Sequence, residues 1–316
     1  MSYAQFGTIQ ASDYNALVGG NPTTTSNTLN AVWATGGAGA GYGQTPLANV
    51  SAGQSVAASE WANLVNKTST AATHQGSSIT AVTAPSSGGT VTYLSAIPTN
   101  LTTIYANKYN AASQGTTSAN GSARATTWAT SLTFTYTATF ANGDAARYFF
   151  NAGGQIKFTF SQPTGTALAN SYATLATACG TLVLSAQNSG TTTIASTSYT
   201  GFTKVGGTGS PTVNSTNTGY LALTTANTTL FTQQTGSPTN YTTSSINLIA
   251  KTNGTQGTNS DNGNVLTFYS VWQEAPSTGA IVTAGANVSM TVVYPETTNI
   301  SNTWGAVTTS ASVTGS

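Results

Sequence analysis

The sequence predicts a mainly β chain: an antiparallel β-sandwich of jelly-roll or Greek-key type, preceded by a small N-terminal segment containing two short helices. Three observations carry this. From Trp128 to Phe140 every second residue is apolar or small (Trp128, Thr130, Leu132, Phe134, Tyr136, Ala138, Phe140), and a period of two puts the large side chains on one strand face. Similar runs recur toward the C-terminus, separated by Gly, Pro and Asn turn signals. Before residue 85 the signal is different, because two stretches there carry helix-start chemistry.

Those two stretches form an internal repeat, residues 8–18 and 55–65. Thr8-Ile9-Gln10-Ala11-Ser12-Asp13-Tyr14-Asn15-Ala16-Leu17-Val18 aligns with Ser55-Val56-Ala57-Ala58-Ser59-Glu60-Trp61-Ala62-Asn63-Leu64-Val65. Asp13 and Glu60 fall in the first turn, where the helix dipole favours an acid, and Tyr14/Leu17 and Trp61/Leu64 lie three apart on one face. Gln10 and Ala57 are poor caps, so the phase is open by one or two residues. The second helix runs on to His74, with Gly76 as its C′ residue. Gly36-Gly37-Ala38-Gly39-Ala40-Gly41-Tyr42-Gly43-Gln44, between the copies, lacks the Gly-Lys-Ser/Thr of a phosphate cradle and reads as a flexible or closely packed loop.

A Pro, Ser and Gly-rich stretch from Ala84 to Gly89 marks a boundary, giving residues 1–85 as a helical and loop segment suited to assembly contacts and 86–316 as the sandwich. Its densest apolar block joins the Trp128–Phe140 run to Ile156, Phe158 and Phe160 through Asn142 to Gly154. That connection predicts one short helix, capped by Asn142 or Asp144 and ended by glycine. Strands are also expected at 90–94, 181–186, 192–202, 220–224, 230–233, 246–251, 265–272 and 288–294, the last two long enough for a central hairpin.

Charged residues make up 4% of the 316, against roughly 25% in ordinary globular chains. With a net charge of +1 and the charges scattered, no basic stripe exists to neutralise phosphates, so nucleic acid is not an expected partner. Aromatics at 9% argue against disorder. A single cysteine, Cys179, forbids an internal disulfide, and no apolar run approaches the ~20 residues of a membrane span or the pattern of a signal peptide. Ser, Thr, Asn, Gln and Gly stand where a free protein places Lys and Glu. The expectation is a surface covered by neighbouring subunits.

The Ala11 to Leu17 opening, the Gly41-Tyr42-Gly43-Gln44 loop, the Trp61 helix closing in His74-Gln75-Gly76, the Arg147-Tyr148-Phe149-Phe150-Asn151-Ala152-Gly153-Gly154-Gln155-Ile156 block and the late Trp304-Gly305 together resemble virion structural proteins of large tailed phages of cyanobacteria and marine bacteria. The resemblance implies a tail, neck or fibre component in the virion, assembled in the host cytoplasm with copies of itself and other virion proteins. It implies no catalytic residues and no cofactor. An alternative is a receptor-binding module in which Tyr105, Tyr109, Tyr199 and Tyr241 stack on host surface glycans.

The chemical candidates are few. His74 is the only histidine, which excludes a histidine metal cluster and fits a helix's last turn. A glycan-cleaving pair of carboxylates is the enzyme to weigh, but Asp13 and Glu60 read as helix-start acids, Asp144 and Asp261 as turn residues, and Glu274 and Glu296 as strand-end residues. Asp261-Asn262-Gly263-Asn264 lacks the second acid and distant Glu of a calcium loop and reads as a hairpin turn. Arg147 is expected to pair with Asp144 or to bond backbone carbonyls across an interface. Tyr14, Leu17, Trp61, Leu64, Arg147, Tyr148, Phe149 and Phe150 are the candidate assembly contacts.

Overall fold

The computed structural model describes residues 10–23, 25–37, 39–88, 95–187, 190–211, 213–214, 218–234, 243–258, 260–274 and 279–315. Among the described residues four helices lead: α1 (Ala11–Val18), α2 (Leu29–Trp33), α3 (Ala58–Gln75) and α4 (Ala96–Ala106). Then come β1 (Gln114–Ala123), β2 (Ser131–Thr139), α5 (Gly143–Asn151), β3 (Gln155–Ser161), α6 (Ala167–Cys179), β4 (Thr181–Leu184), β5 (Thr192–Ile194), β6 (Thr197–Tyr199) and β7 (Phe202–Val205). The last strands are β8 (Val213–Asn214), β9 (Thr228–Gln234), β10 (Ser245–Thr252), β11 (Val265–Gln273), β12 (Asn287–Pro295) and β13 (Thr308–Gly315).

The chain is mainly β, and its strands form two antiparallel sheets that pack as a sandwich. One runs β1-β12-β3-β4-β7, the other β13-β2-β11-β10-β9-β8, and β5-β6 is a separate hairpin. In β2 the strict alternation of burial puts Leu132, Phe134, Tyr136 and Ala138 inward, opposite Trp272, Ser270, Phe268 and Leu266 of β11. From the facing sheet β3 and β12 supply Ile156, Phe158, Val288, Met290 and Val292. Phe158 meets Tyr136 at 5.9 Å and Phe268 at 4.9 Å between ring centroids, and the Tyr136 hydroxyl crosses to donate to the Val288 carbonyl. A buried tyrosine needs such a partner, because an unmade bond costs on the order of 1–3 kcal/mol.

The Trp128–Phe160 stretch folds as strand, helix and strand, with Asn142 as the cap of α5: its Oδ1 accepts from the Ala145 N–H at 2.8 Å. However, β2 and β3 lie in different sheets, so α5 is a crossover. The expected β11–β12 hairpin also fails. β11 pairs with β2 and β10, β12 with β1 and β3. Two apolar strands in succession satisfy their burial equally well in one sheet or in two, and the connection between them is long enough to span the ~10 Å between layers.

Other differences follow from weak local signals. The expected strand at 192–202 breaks into β5 and β6 at Ala195 and Ser196, both with positive φ, and again before β7 at Thr200 and Gly201, and 220–224 contains a 3₁₀ turn, Tyr220–Ala222. The expected 90–94 strand lies outside the described residues. β1 has no apolar alternation to announce it, and α6 is Ala- and Thr-rich, yet Leu168, Tyr172, Leu175 and Cys179 give it one buried face. Tyr172 stacks on Trp272 at 5.6 Å and meets Trp128 at 4.9 Å, closing one end of the sandwich. α4 packs on α1, α2 and α3, so the helical layer runs past residue 85 and contains more than two helices. One hydrophobic core runs continuously from Tyr14 and Trp61 through Phe149 to Trp272 and Trp304.

Candidate functional site

Three features tie the helical layer together and join it to the sandwich, and each begins with a polar side chain that the fold places inward. The first is a set of carboxamides that act as peptide groups. Asn15 Nδ2 donates to Val50 O and its Oδ1 accepts from Val50 N–H, both at 2.8 Å. Asn30 holds Leu47 in the same way, at 2.9 and 3.0 Å, and Asn100 holds Thr80, at 2.8 and 3.0 Å. Gln44 repeats the arrangement over 257 positions, bonding Ser301 O at 2.8 Å and Ser301 N–H at 3.0 Å. An amide offers a donor and an acceptor on one plane, as a neighbouring strand does, so these extended segments are pinned without a sheet.

The second feature is Arg147, which projects from α5 into the glycine-rich loop and is fully buried. Its Nη1 donates to the carbonyls of Thr35, at 2.7 Å, and Ala40; Nη2 donates to Asp144 Oδ1 at 2.8 Å; Nε lies 3.0 Å from Asp261 Oδ2. Burial works to lower its pKa, but the Asp144 hydrogen bond and the neighbouring Tyr148, Asp144 and Asp261 outweigh it and hold the pKa raised. One turn on, Asn151 Nδ2 bonds the carbonyls of Gly39, at 2.7 Å, and Gly41, at 3.0 Å. The loop is therefore closely packed. At Gly43, where φ is +71°, a Cβ would stand 2.5 Å from the Tyr148 ring, so only glycine fits.

The third is His74, buried in the last turn of α3, with Nδ1 2.8 Å from Glu296 Oε1 just beyond β12. The Glu296 carboxylate also accepts from Asn299 Nδ2 and from the N–H groups of Thr298 and Asn299. The His74 contact, opposed by burial and aided by those other donors, brings the Glu296 pKa down to about 2. The Tyr42 ring stands edge-on to His74 at 5.1 Å, and its hydroxyl accepts from Gln75 Nε2 at 2.8 Å. Burial raises the Tyr42 pKa despite that bond.

Chemically, these groups hold backbone in place. Asp144 and Asp261 converge, but on one guanidinium, and Asp261 also accepts from the N–H groups of Gly257 and Thr258 and from the Thr258 hydroxyl, as a turn residue does. Asp13 and Glu60 accept from the N–H groups of Gln10 and Ala57, at 3.0 and 2.7 Å, which are the helix-start positions expected from the repeat. Among the described residues no three His, Cys, Asp or Glu side chains gather as metal ligands, and no helix is long and apolar enough to cross a membrane.

Of the candidate assembly contacts, Tyr14, Leu17, Trp61, Leu64, Arg147, Phe149 and Phe150 are buried within the single chain, and Tyr148 is half-buried over Arg147 and Gly43. Tyr14 and Trp61, matched in the repeat, pack on each other at 5.6 Å. Their packing is a core contact between the two copies of the motif, not an outward face. Arg147 does bond backbone carbonyls, but those of its own chain. The tyrosines expected to stack on glycans in the receptor-binding alternative are engaged as well: Lys108 covers one face of Tyr105 and of Tyr109, Tyr199 is buried, and Tyr241 lies outside the described residues. The sequence placed Asp261 in a turn and Glu296 at a strand end but gave no sign of their partners Arg147 and His74, and it missed the carboxamides altogether; all these partners stand tens to hundreds of positions away.

No protein-family model, curated protein or solved structure matches this chain.

Proposed function

We propose that this chain is a structural subunit of a tailed-phage particle, a tail, neck or fibre component that assembles through contacts with copies of itself and with other virion proteins. The observation that carries the reading is where the few charges stand. None of the seven basic and six acidic side chains is fully exposed: Arg147, Glu274, Glu296 and the Asp261 side chain are buried and the rest are partly covered. The exposed positions are accordingly for the most part hydroxyl, amide and small residues, with Val205 and Ile281 the exposed large apolar ones among the described residues. Such a surface gives little repulsion between copies, and a hydroxyl or amide that finds a partner desolvates at far lower cost than an ion. The buried amide and guanidinium ties support the same reading, since they make a rigid unit with little apparatus for movement or chemistry.

Sedimentation velocity at micromolar concentration, in 0.1 M and 1 M salt, tests this. The screening length falls from about 10 Å to about 3 Å between those conditions. The expected result is an oligomer whose population does not change with salt. A monomer in both conditions would count against the proposal.

A further inference from the structure

We propose that the open edge formed by β1 and β13 is the docking site for a second copy of this chain, which adds its own edge strand in antiparallel register; this rests on the assembly reading above. Among the described residues β1 is hydrogen-bonded as a strand only to β12, and β13 only to β2. The two end their respective sheets on the same side of the sandwich, where Asn120 Nδ2 donates to Thr309 Oγ1 at 3.1 Å and Arg124 donates to the Gly315 carbonyl at 3.1 Å. At the opposite side one of the two sheets ends in β7, of four residues. Shortness is one of the ordinary protections of an edge. β1 has ten residues and β13 eight, and neither contains Lys, Asp, Glu or Pro. The one irregularity, a register shift between Gln114 and Thr117, leaves Thr117 to Ala123 in continuous pairing.

The sequence of β1 sharpens the point. Gln114-Gly115-Thr116-Thr117-Ser118-Ala119-Asn120-Gly121-Ser122-Ala123 has no large apolar side chain, and Thr116 to Ala119 are exposed on both faces. Burial of its side chains gives this strand little reason to form, while threonine and small residues give it an outer edge free of bulky side chains, with β13 alongside and joined to it through Asn120 and Arg124. The charge balance selects the occupant. The edge carries no charge except Arg124, which is engaged with Gly315, so a partner recognised by charge finds nothing to read, whereas a second copy meets an equally neutral edge. Antiparallel pairing of a strand with its own two-fold mate is self-complementary, as a closed dimer contact must be. Eight residues at ~3.4 Å each would make a ladder about 27 Å long.

The test places lysines on the exposed positions Ser118→Lys and Ser312→Lys in one variant and measures association by sedimentation against the native protein, with thermal unfolding as the control. The expected result is at least ten-fold weaker association with an unchanged melting midpoint. If the variant fails to fold, single cysteines introduced in turn at positions 117 to 120 decide, because Cys179 is buried and will not cross-link. A covalent dimer under mild oxidation supports the edge; none at any position overturns it. A native oligomer that the lysines leave intact overturns the edge while the assembly reading stands, and a native protein that stays monomeric overturns both.

Discussion

His74 and Glu296 are 222 positions apart in the chain and 2.8 Å apart in the fold, where they join the end of α3 to the end of β12. The carboxylate's pKa, about 2 when folded against an ordinary 4.5, makes this contact pH-dependent in a definite direction. A depressed carboxylate pKa adds stability that is complete above pH 4.5 and is lost as pH falls from there toward 2. Urea unfolding between pH 7 and pH 2 should show that loss. Glu296→Gln should lower stability at pH 7 by about 1–3 kcal/mol and flatten the profile below pH 4.5.

Arg147→Met should be the most damaging single change among these polar ties. It leaves the Asp261 side chain, fully buried, without its cation, and the carbonyls of Thr35 and Ala40 without donors. Breaking one partner of a buried pair costs about 3–5 kcal/mol. Asp144→Asn should cost under about 1 kcal/mol, because that carboxylate is 35% exposed. Chemical denaturation of both variants checks the ranking, and equal losses would contradict it.

Asn100→Ala removes both halves of the clamp on Thr80 while leaving α4 a good helix former. The loss should be about 1–3 kcal/mol. Hydrogen exchange localises it: the Thr80 amide should lose protection while β2 and β11 amides keep theirs. The same change at Asn15 should expose the Val50 amide instead.

Gly43→Ala combines a left-handed backbone with a clash against Tyr148. The backbone alone costs about 1–3 kcal/mol. Adding Tyr148→Ala should recover the steric part and leave the backbone part, so the double variant should melt between Gly43→Ala and the native protein.

Local pattern made several elements legible before any fold was known. The alternation of β2 holds from Leu132 to Ala138 because it depends only on which neighbours are apolar, while the expected start is cut off: Trp128 makes an isolated bridge to Val282 and Thr130, at φ +53°, stands outside the strand. The starts of α1 and α3 were readable from Asp13 and Glu60 despite Gln10 and Ala57 as weak caps, since each acid reaches back to a backbone N–H within its own turn. The α5 cap at Asn142 is likewise a contact over three positions. β1 and α6 were not legible. The first buries almost nothing, and the second has an apolar face diluted by alanine and threonine.

What the amino-acid order alone determined was the period of the strands, the helix starts, the breaks at glycine and asparagine, and a surface nearly without ions. All of these are properties of residues within a turn or two of one another. Only the tertiary structure decided that β11 and β12 belong to opposite sheets, that Arg147 and Asn151 close the glycine-rich loop, and that His74 meets Glu296. The physical reason is that a buried donor or ion must find a partner but does not specify which one. Any carbonyl or carboxylate brought near enough would satisfy it, and packing of the whole chain makes that choice.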